Sequence, residues 1–173
     1  MLKENEYWHF AKIKDGKPVM RDGKPIIIGK TYTVEKNVLC ESGYHGSKNI
    51  LDALYYAPGE WLSVREITGN VIVGDDKVCG KKCRHIKGVD ITDILKEFAR
   101  KCALDVTHLW DAPDVVVKYL KTGKEELREK AWAAAWDAAA AADAARAAAR
   151  EKQNKILTDM VNKLFEGELN GRD

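Results

Sequence analysis

The run 131–149 constrains this chain more than any other stretch, because fourteen of its nineteen residues are alanine and it lies inside a longer run, 123–165, that has no proline and no interior glycine. Alanine gives up no side-chain rotamer freedom in a helix and is the best helix former. The sequence therefore predicts a helix over 123–166, and about forty residues at 1.5 Å rise each make a rod on the order of 60 Å long. A domain of 173 residues is narrower than that, so part of the rod must project or bind something.

Three textures follow one another along it. Residues 124–130 are charged, and Thr122 with Glu125 forms a capping box at the start. Trp132 and Trp136, spaced i,i+4, are read as an anchor that packs on the rest of the protein. Beyond Gln153 and Asn154, the residues Ile156, Leu157, Met160, Val161, Leu164 and Phe165 make an apolar stripe that needs cover. A second copy of the chain is the expected cover, so this stripe is the candidate interface of a homo-oligomer.

The amino-terminal half has a different period. Tyr7-Trp8-His9-Phe10-Ala11-Lys12-Ile13 has the composition of a strand, and Asp15-Gly16 offers the positive-φ turn that a hairpin wants. Asp22-Gly23 repeats the signal, which delimits a short edge strand at Pro18-Val19-Met20. Ile26-Ile27-Ile28 and Thr31-Tyr32-Thr33-Val34 flank Gly29 and read as one bent strand or as two joined by a turn. Trp61-Leu62-Ser63-Val64-Arg65-Glu66-Ile67 alternates apolar and polar residues, Val71-Ile72-Val73 continues as a strand, and Cys83-Arg84-His85-Ile86 forms another. Between these, Ser47 is expected to cap a helix over 49–57 that Pro58-Gly59 stops. From Asp90 the period becomes helical, with Ile91, Ile94, Leu95, Phe98, Ala99, Cys102 and Ala103 on one face.

The fold class expected is α+β: a small, mostly antiparallel sheet with one short helix, then a helical half ending in the alanine-rich helix. Its parts are a β-rich α+β domain over 1–89, a helical region packed on it over 90–122, the long helix over 123–166 and a disordered tail over 167–173.

No catalytic signature is present, so candidate ligand residues are read from local chemistry. His45 stands just before a helix start, with Gly46 and Ser47 following, a setting that suits an anion or nucleotide. Lys81, Lys82 and Arg84 form a basic cluster that either completes a phosphate site or is a solvated face. Basic and acidic residues nearly balance at a net charge of +2, which gives no global field for nucleic acid. No apolar run reaches membrane length, and the first residues lack the core of a signal peptide, so the cytoplasm is expected, the host's if the chain is phage-encoded. The four cysteines are expected reduced, Cys79 and Cys102 in the core and Cys83 on an exposed strand face. Their spacing with His45 and His85 is a weak zinc signal, and neither metal nor cofactor is expected.

Leu39-Cys40-Glu41-Ser42-Gly43-Tyr44-His45, Leu51-Asp52-Ala53-Leu54, Tyr56-Ala57-Pro58-Gly59 and Gly74-Asp75-Asp76-Lys77 together resemble a family of uncharacterised phage and prophage proteins. Phe98-Ala99-Arg100, Leu109-Trp110-Asp111-Ala112-Pro113 and the alanine-rich helix extend the resemblance. It implies a phage or prophage setting and no activity. A shorter similarity, Tyr44-His45-Gly46-Ser47, looks like the His-Gly-Ser strand with which ADP-ribosyltransferases hold NAD, and it implies that His45 and Gly46 touch that cofactor. No tyrosine strand follows Trp61, and Glu66, the one glutamate in a strand, comes too early for that family's catalytic residue. The expectation drawn is a non-enzymatic binding protein of phage or prophage type, capturing a host protein or a nucleotide in counter-defence and self-associating through its last helix. The alternatives are an NAD-dependent ADP-ribosyltransferase-like enzyme and a structural accessory protein.

Overall fold

Asp15 and Gly16 both adopt positive φ, 51° and 72°, and this two-residue turn closes a hairpin between β1 (Glu6–Lys14) and β2 (Lys17–Val19) with Lys14 opposite Lys17. Around that hairpin a computed structural model, which describes residues 2–110, 112–136 and 146–170, builds an α+β fold. The N-terminal antiparallel sheets form a half-barrel with one short helix, and the C-terminal half is helical and ends in a long helix. The chain divides into two compact units, Met1–Thr92 and Asp93–Asp173.

In the first unit β3 (Thr31–Thr33), β5 (Trp61–Thr68) and β8 (Lys82–Asp90) join the hairpin in an antiparallel sheet ordered β2-β1-β5-β8-β3. A three-stranded sheet places β7 (Val78–Gly80) between β4 (Tyr44–Gly46) and β6 (Ile72–Val73). Only Lys81 separates β7 from β8, so nearly continuous chain serves both sheets. A second join runs through Trp8 and Ser47, whose backbones exchange hydrogen bonds of 2.8 and 3.0 Å. That duty takes Ser47 away from helix α1 (Ile50–Tyr55), where Asn49 is the N-cap instead and its Oδ1 accepts from the Leu51 amide.

Two sequence expectations change here. Ile26-Ile27-Ile28 is not a strand: Ile26 is buried with Ala11, Trp61 and Met20, while Ile27 and Ile28 stand 52% and 49% exposed. Cys83, expected on an exposed strand face, is buried, and so are Ser63 and Arg65, the polar alternates of β5. β5 is covered on both faces, so its polar alternates line a second interior rather than meeting water.

The second unit contains α2 (Thr92–Asp105), a 3₁₀ turn (Thr107–Leu109), α3 (Asp114–Thr122), a second 3₁₀ turn (Glu125–Leu127), α4 (Arg128–Trp136) and α5 (Arg146–Asn170). Asp90 caps the start of α2 by accepting from the Thr92 amide at 2.9 Å and its hydroxyl at 2.6 Å. Thr122 caps no long helix: it ends α3, and its hydroxyl donates back to the Lys118 carbonyl. Residues 137–145, the middle of the alanine block, lie outside the described residues, and so does the expected continuity of one rod. From Arg146 onward α5 runs unbroken through Gln153 and Asn154 and past residue 166.

Trp132 is 69% exposed and does not form the expected anchor, while the side chain of Trp136 is outside the described residues. The apolar stripe of α5 is divided. Leu157, Val161 and Phe165, spaced i, i+4, i+8, form a buried ridge, and Ile156, Met160 and Leu164 flank it half-buried. Lys152 pairs with Asp105 of α2 at 2.6 Å. Among the described residues no helix is long and apolar enough to cross a membrane.

Candidate functional site

Cross-strand register gathers an unusual set of side chains on one face of the five-stranded sheet. Tyr7 faces Arg65, His9 faces Ser63 and Ala11 faces Trp61 across β1 and β5, while Arg65 faces His85 and Ile67 faces Cys83 across β5 and β8. Strand alternation puts all of these on the same side. Apolar clusters close both ends of the face, Tyr7, Ile67 and Val78 at one and Ala11, Ile26 and Trp61 at the other. Between them runs a polar belt of His9, Ser63, Arg65, Cys83 and His85.

The belt is buried and incompletely paired. Arg65 is 5% exposed and His85 1% exposed, and three of its atoms, His9 Nδ1, Arg65 Nε and His85 Nε2, are buried without a hydrogen-bond partner. Ser63, itself 0% exposed, contacts the His9 carbonyl at 3.2 Å and His85 Nδ1 at 3.0 Å. Aromatic rings hold His85 in place: Trp61 at 5.9 Å, His9 at 5.6 Å and Tyr32 at 6.5 Å between centroids. Trp61 reaches across Gly88, where a Cβ would come within 2.2 Å of the indole, so residue 88 has no room for a side chain.

Charge in the belt is one-sided. Burial weakens the hold of Arg65 on its proton, but a guanidinium stays protonated in proteins. The groups that act on it most strongly are the Cys83 thiol, which also hydrogen-bonds it, then Tyr44 and Cys79; no carboxylate is among them. Burial pushes His85 down to about 3, with Arg65 adding to the effect. His9 falls well below the ordinary histidine value through burial, then Arg65, His85 and His45. One permanent cation and two neutral imidazoles therefore share the face. A buried ion without a counter-ion costs several kcal/mol in effective terms, about the size of a large core mutation.

The residues singled out in the sequence fall in two places. His45 lies close enough to the belt for Arg65 to lower its pKa, after burial as the main cause. Its Nε2 accepts from the Cys40 amide at 3.1 Å, so the ring holds the turn before β4. Gly46 packs directly under β1, since a Cβ there would stand 2.7 Å from Tyr7 Cβ, and Ser47 is buried in its pairing with Trp8. The glycine's open space is thus filled by the protein itself. Lys81 is the residue that joins β7 to β8, and its backbone bonds to Gly69 and Val34. Lys82 and Arg84 alternate with Cys83 and His85 and point away from the belt, exposed, Arg84 pairing with Glu66 at 3.1 Å. Cys79 is buried as expected, whereas Cys83, expected outside, lines the inner face.

Ser63 with His85 is a nucleophile and base at hydrogen-bond distance, but the arrangement is not that of a catalytic pair. The serine hydroxyl has the His9 carbonyl as a second partner, and a histidine pushed down to about 3 by burial is a poor base at neutral pH. Among the described residues no group of three or more His, Cys, Asp or Glu side chains is placed to hold a metal ion. What the belt offers is a fixed positive donor and unpaired imidazole nitrogens in a low-dielectric setting. The sequence carried a signal for it in the residue types at alternate positions, namely His9, Ser63, Arg65, Cys83 and His85 in place of the lysines and glutamates of a solvated face. A comparison of the chain with known protein families, with curated proteins and with solved structures finds no match.

Proposed function

We propose that this chain is a non-enzymatic binding protein of phage or prophage type that takes a small anionic ligand on the inner face of its N-terminal unit, with Arg65 as the anchor. The observation that carries this reading is a guanidinium 5% exposed, with an unpartnered Nε and no carboxylate among its strongest neighbours. A cation in such a place is costly unless something negative compensates it, and an anionic ligand does so. A nucleotide, one of the ligands suggested by the phage resemblance, carries such a group. The NAD-transferase reading draws less support, because His45 Nε2 and the space at Gly46 are already occupied by the protein's own groups. Self-association through α5 is a companion proposal, with the half-buried flank Ile156, Met160 and Leu164 as the surface open to a second copy.

The test is Arg65→Met, melted alone and against a panel of phosphate, carboxylate and nucleotide anions. Replacing a buried ion by an apolar side chain of similar volume is often neutral or stabilising by about 1–4 kcal/mol. The variant is therefore expected to melt at or above the parent temperature while losing every anion-induced shift. A parent that responds to no anion, with a variant that melts well below it, would make Arg65 a structural residue and sink the reading.

A further inference from the structure

The belt carries a second piece of chemistry besides its charge. Ser63 has a single hydroxyl hydrogen and two contacts, the His9 carbonyl at 3.2 Å and His85 Nδ1 at 3.0 Å. A carbonyl oxygen can only accept, so both contacts are hydrogen bonds only when the hydroxyl donates to His9 and His85 Nδ1–H donates to the hydroxyl. A neutral imidazole has one N–H. With that proton on Nδ1, the other nitrogen, Nε2, is a bare lone pair, and it is buried and unpartnered. Arg65, directly across the strand pair from His85, has only N–H donors to offer, and its Nε is unpartnered too.

A donor and an acceptor thus stand side by side on adjacent strands, each 95% or more buried by residue. A fully deprotonated oxyanion meets the first and sets its own lone pairs against the second. An oxyanion that keeps a hydroxyl satisfies both. We propose that the belt selects a phosphate group that still carries a proton, Arg65 donating to an anionic oxygen and His85 Nε2 accepting from the P–OH. Orthophosphate keeps such a hydroxyl at neutral pH, and a phosphate monoester keeps one below its second pKa of about 6. Entry is by way of the segment 25–29, where Ile26 covers Trp61 and Trp61 in turn lies against His85. This inference rests on the anion-binding reading.

Calorimetric titration of the full chain at pH 6 tests it with orthophosphate, sulfate, a nucleoside 5′-monophosphate and a 3′,5′-cyclic nucleotide, a diester without a P–OH. Leaving a buried acceptor unmatched lowers affinity by about tenfold or more, so the two protonated phosphates should exceed sulfate and the cyclic nucleotide by that factor. Their order relative to each other names the source, a nucleotide or free phosphate. His85→Phe removes the acceptor and should erase the preference. Ser63→Ala, a milder change, frees the imidazole to carry its proton on Nε2 and should raise sulfate affinity toward that of phosphate. Equal binding of sulfate and phosphate by the parent overturns the donor–acceptor match and leaves the anion site standing. Binding of none of the four overturns both.

Discussion

His9 and His85 fold into a place where a second positive charge cannot follow Arg65, and this fixes how the N-terminal unit responds to acid. In the unfolded chain both titrate near the ordinary histidine value of about 6.5, whereas burial lowers both in the fold, His85 to about 3. Below that ordinary value the unfolded chain binds more protons than the folded one, so stability is full above pH 6.5 and declines as pH falls. The slope is about 1.4 kcal/mol per pH unit for each such group. Urea unfolding between pH 6.5 and 5, above most carboxylate titration, should show the decline, and His85→Phe should remove one histidine's share of it. A stability that stays flat over that window would mean that His9 and His85 reach water. At this scale the sequence was legible in composition but not in direction. The glycine of His-Gly-Ser at residues 45–47 suits the close approach of a ligand, but Gly46 lies against Tyr7, so the space beside it belongs to β1.

Elements were more legible than the side chains they place. The hairpin at Asp15-Gly16, the strands around residues 7–13 and 61–67 and the helical period after Asp90 all follow from local signals, because turn geometry and periodicity act within a few residues. The isoleucine triplet misled for the opposite reason. β-branched residues favour strands only where a pleated surface covers them, and here Ile26 alone finds cover. The segment 25–29 is instead a strap. Tyr32 Oη accepts from the Ile27 amide at 2.9 Å and donates to the Pro25 carbonyl at 3.3 Å, and the Gly29 amide bonds the His85 carbonyl at 2.8 Å. Tyr32→Phe removes both side-chain bonds at a cost of about 0.5–1.5 kcal/mol each, which opens the strap locally more than it lowers global stability. Diethylpyrocarbonate attacks an unprotonated imidazole, so mass-mapped labelling of His85 reports the opening, with exposed His108 as the internal reference. Tyr32→Phe and Ile26→Ala are both expected to speed His85 labelling several-fold. Labelling that appears only as the whole protein melts would show that the strap is no entrance.

At the scale of the whole chain the alanine run forecast helix but not what the helix is for. Methyl-covered faces carry little directional information, and residues 137–145 lie outside the described residues, whereas α5 carries large apolar side chains. There the ridge Leu157, Val161 and Phe165 is buried by the chain itself. Burying each such side chain stabilises by about 1.5–3 kcal/mol, and three together approach the 5–15 kcal/mol, in round terms, by which a domain is stable at all. A chain ending at Lys152 should therefore lose the ordered helical signal of the second unit beyond the residues removed, as read by circular dichroism. Self-association makes a separate demand, because the half-buried flank of Ile156, Met160 and Leu164 is small beside the roughly 1,000 Å² that a specific interface needs. Association through it is expected to be weak and visible only at high protein concentration. Met160→Glu places a charge on the flank and leaves the buried ridge untouched, so it should abolish the concentration dependence of the sedimentation coefficient without changing the melt. If the truncated chain instead keeps its helicity and only drops in mass from oligomer to monomer, the ridge is not a core, and α5 is an interface along its whole apolar side.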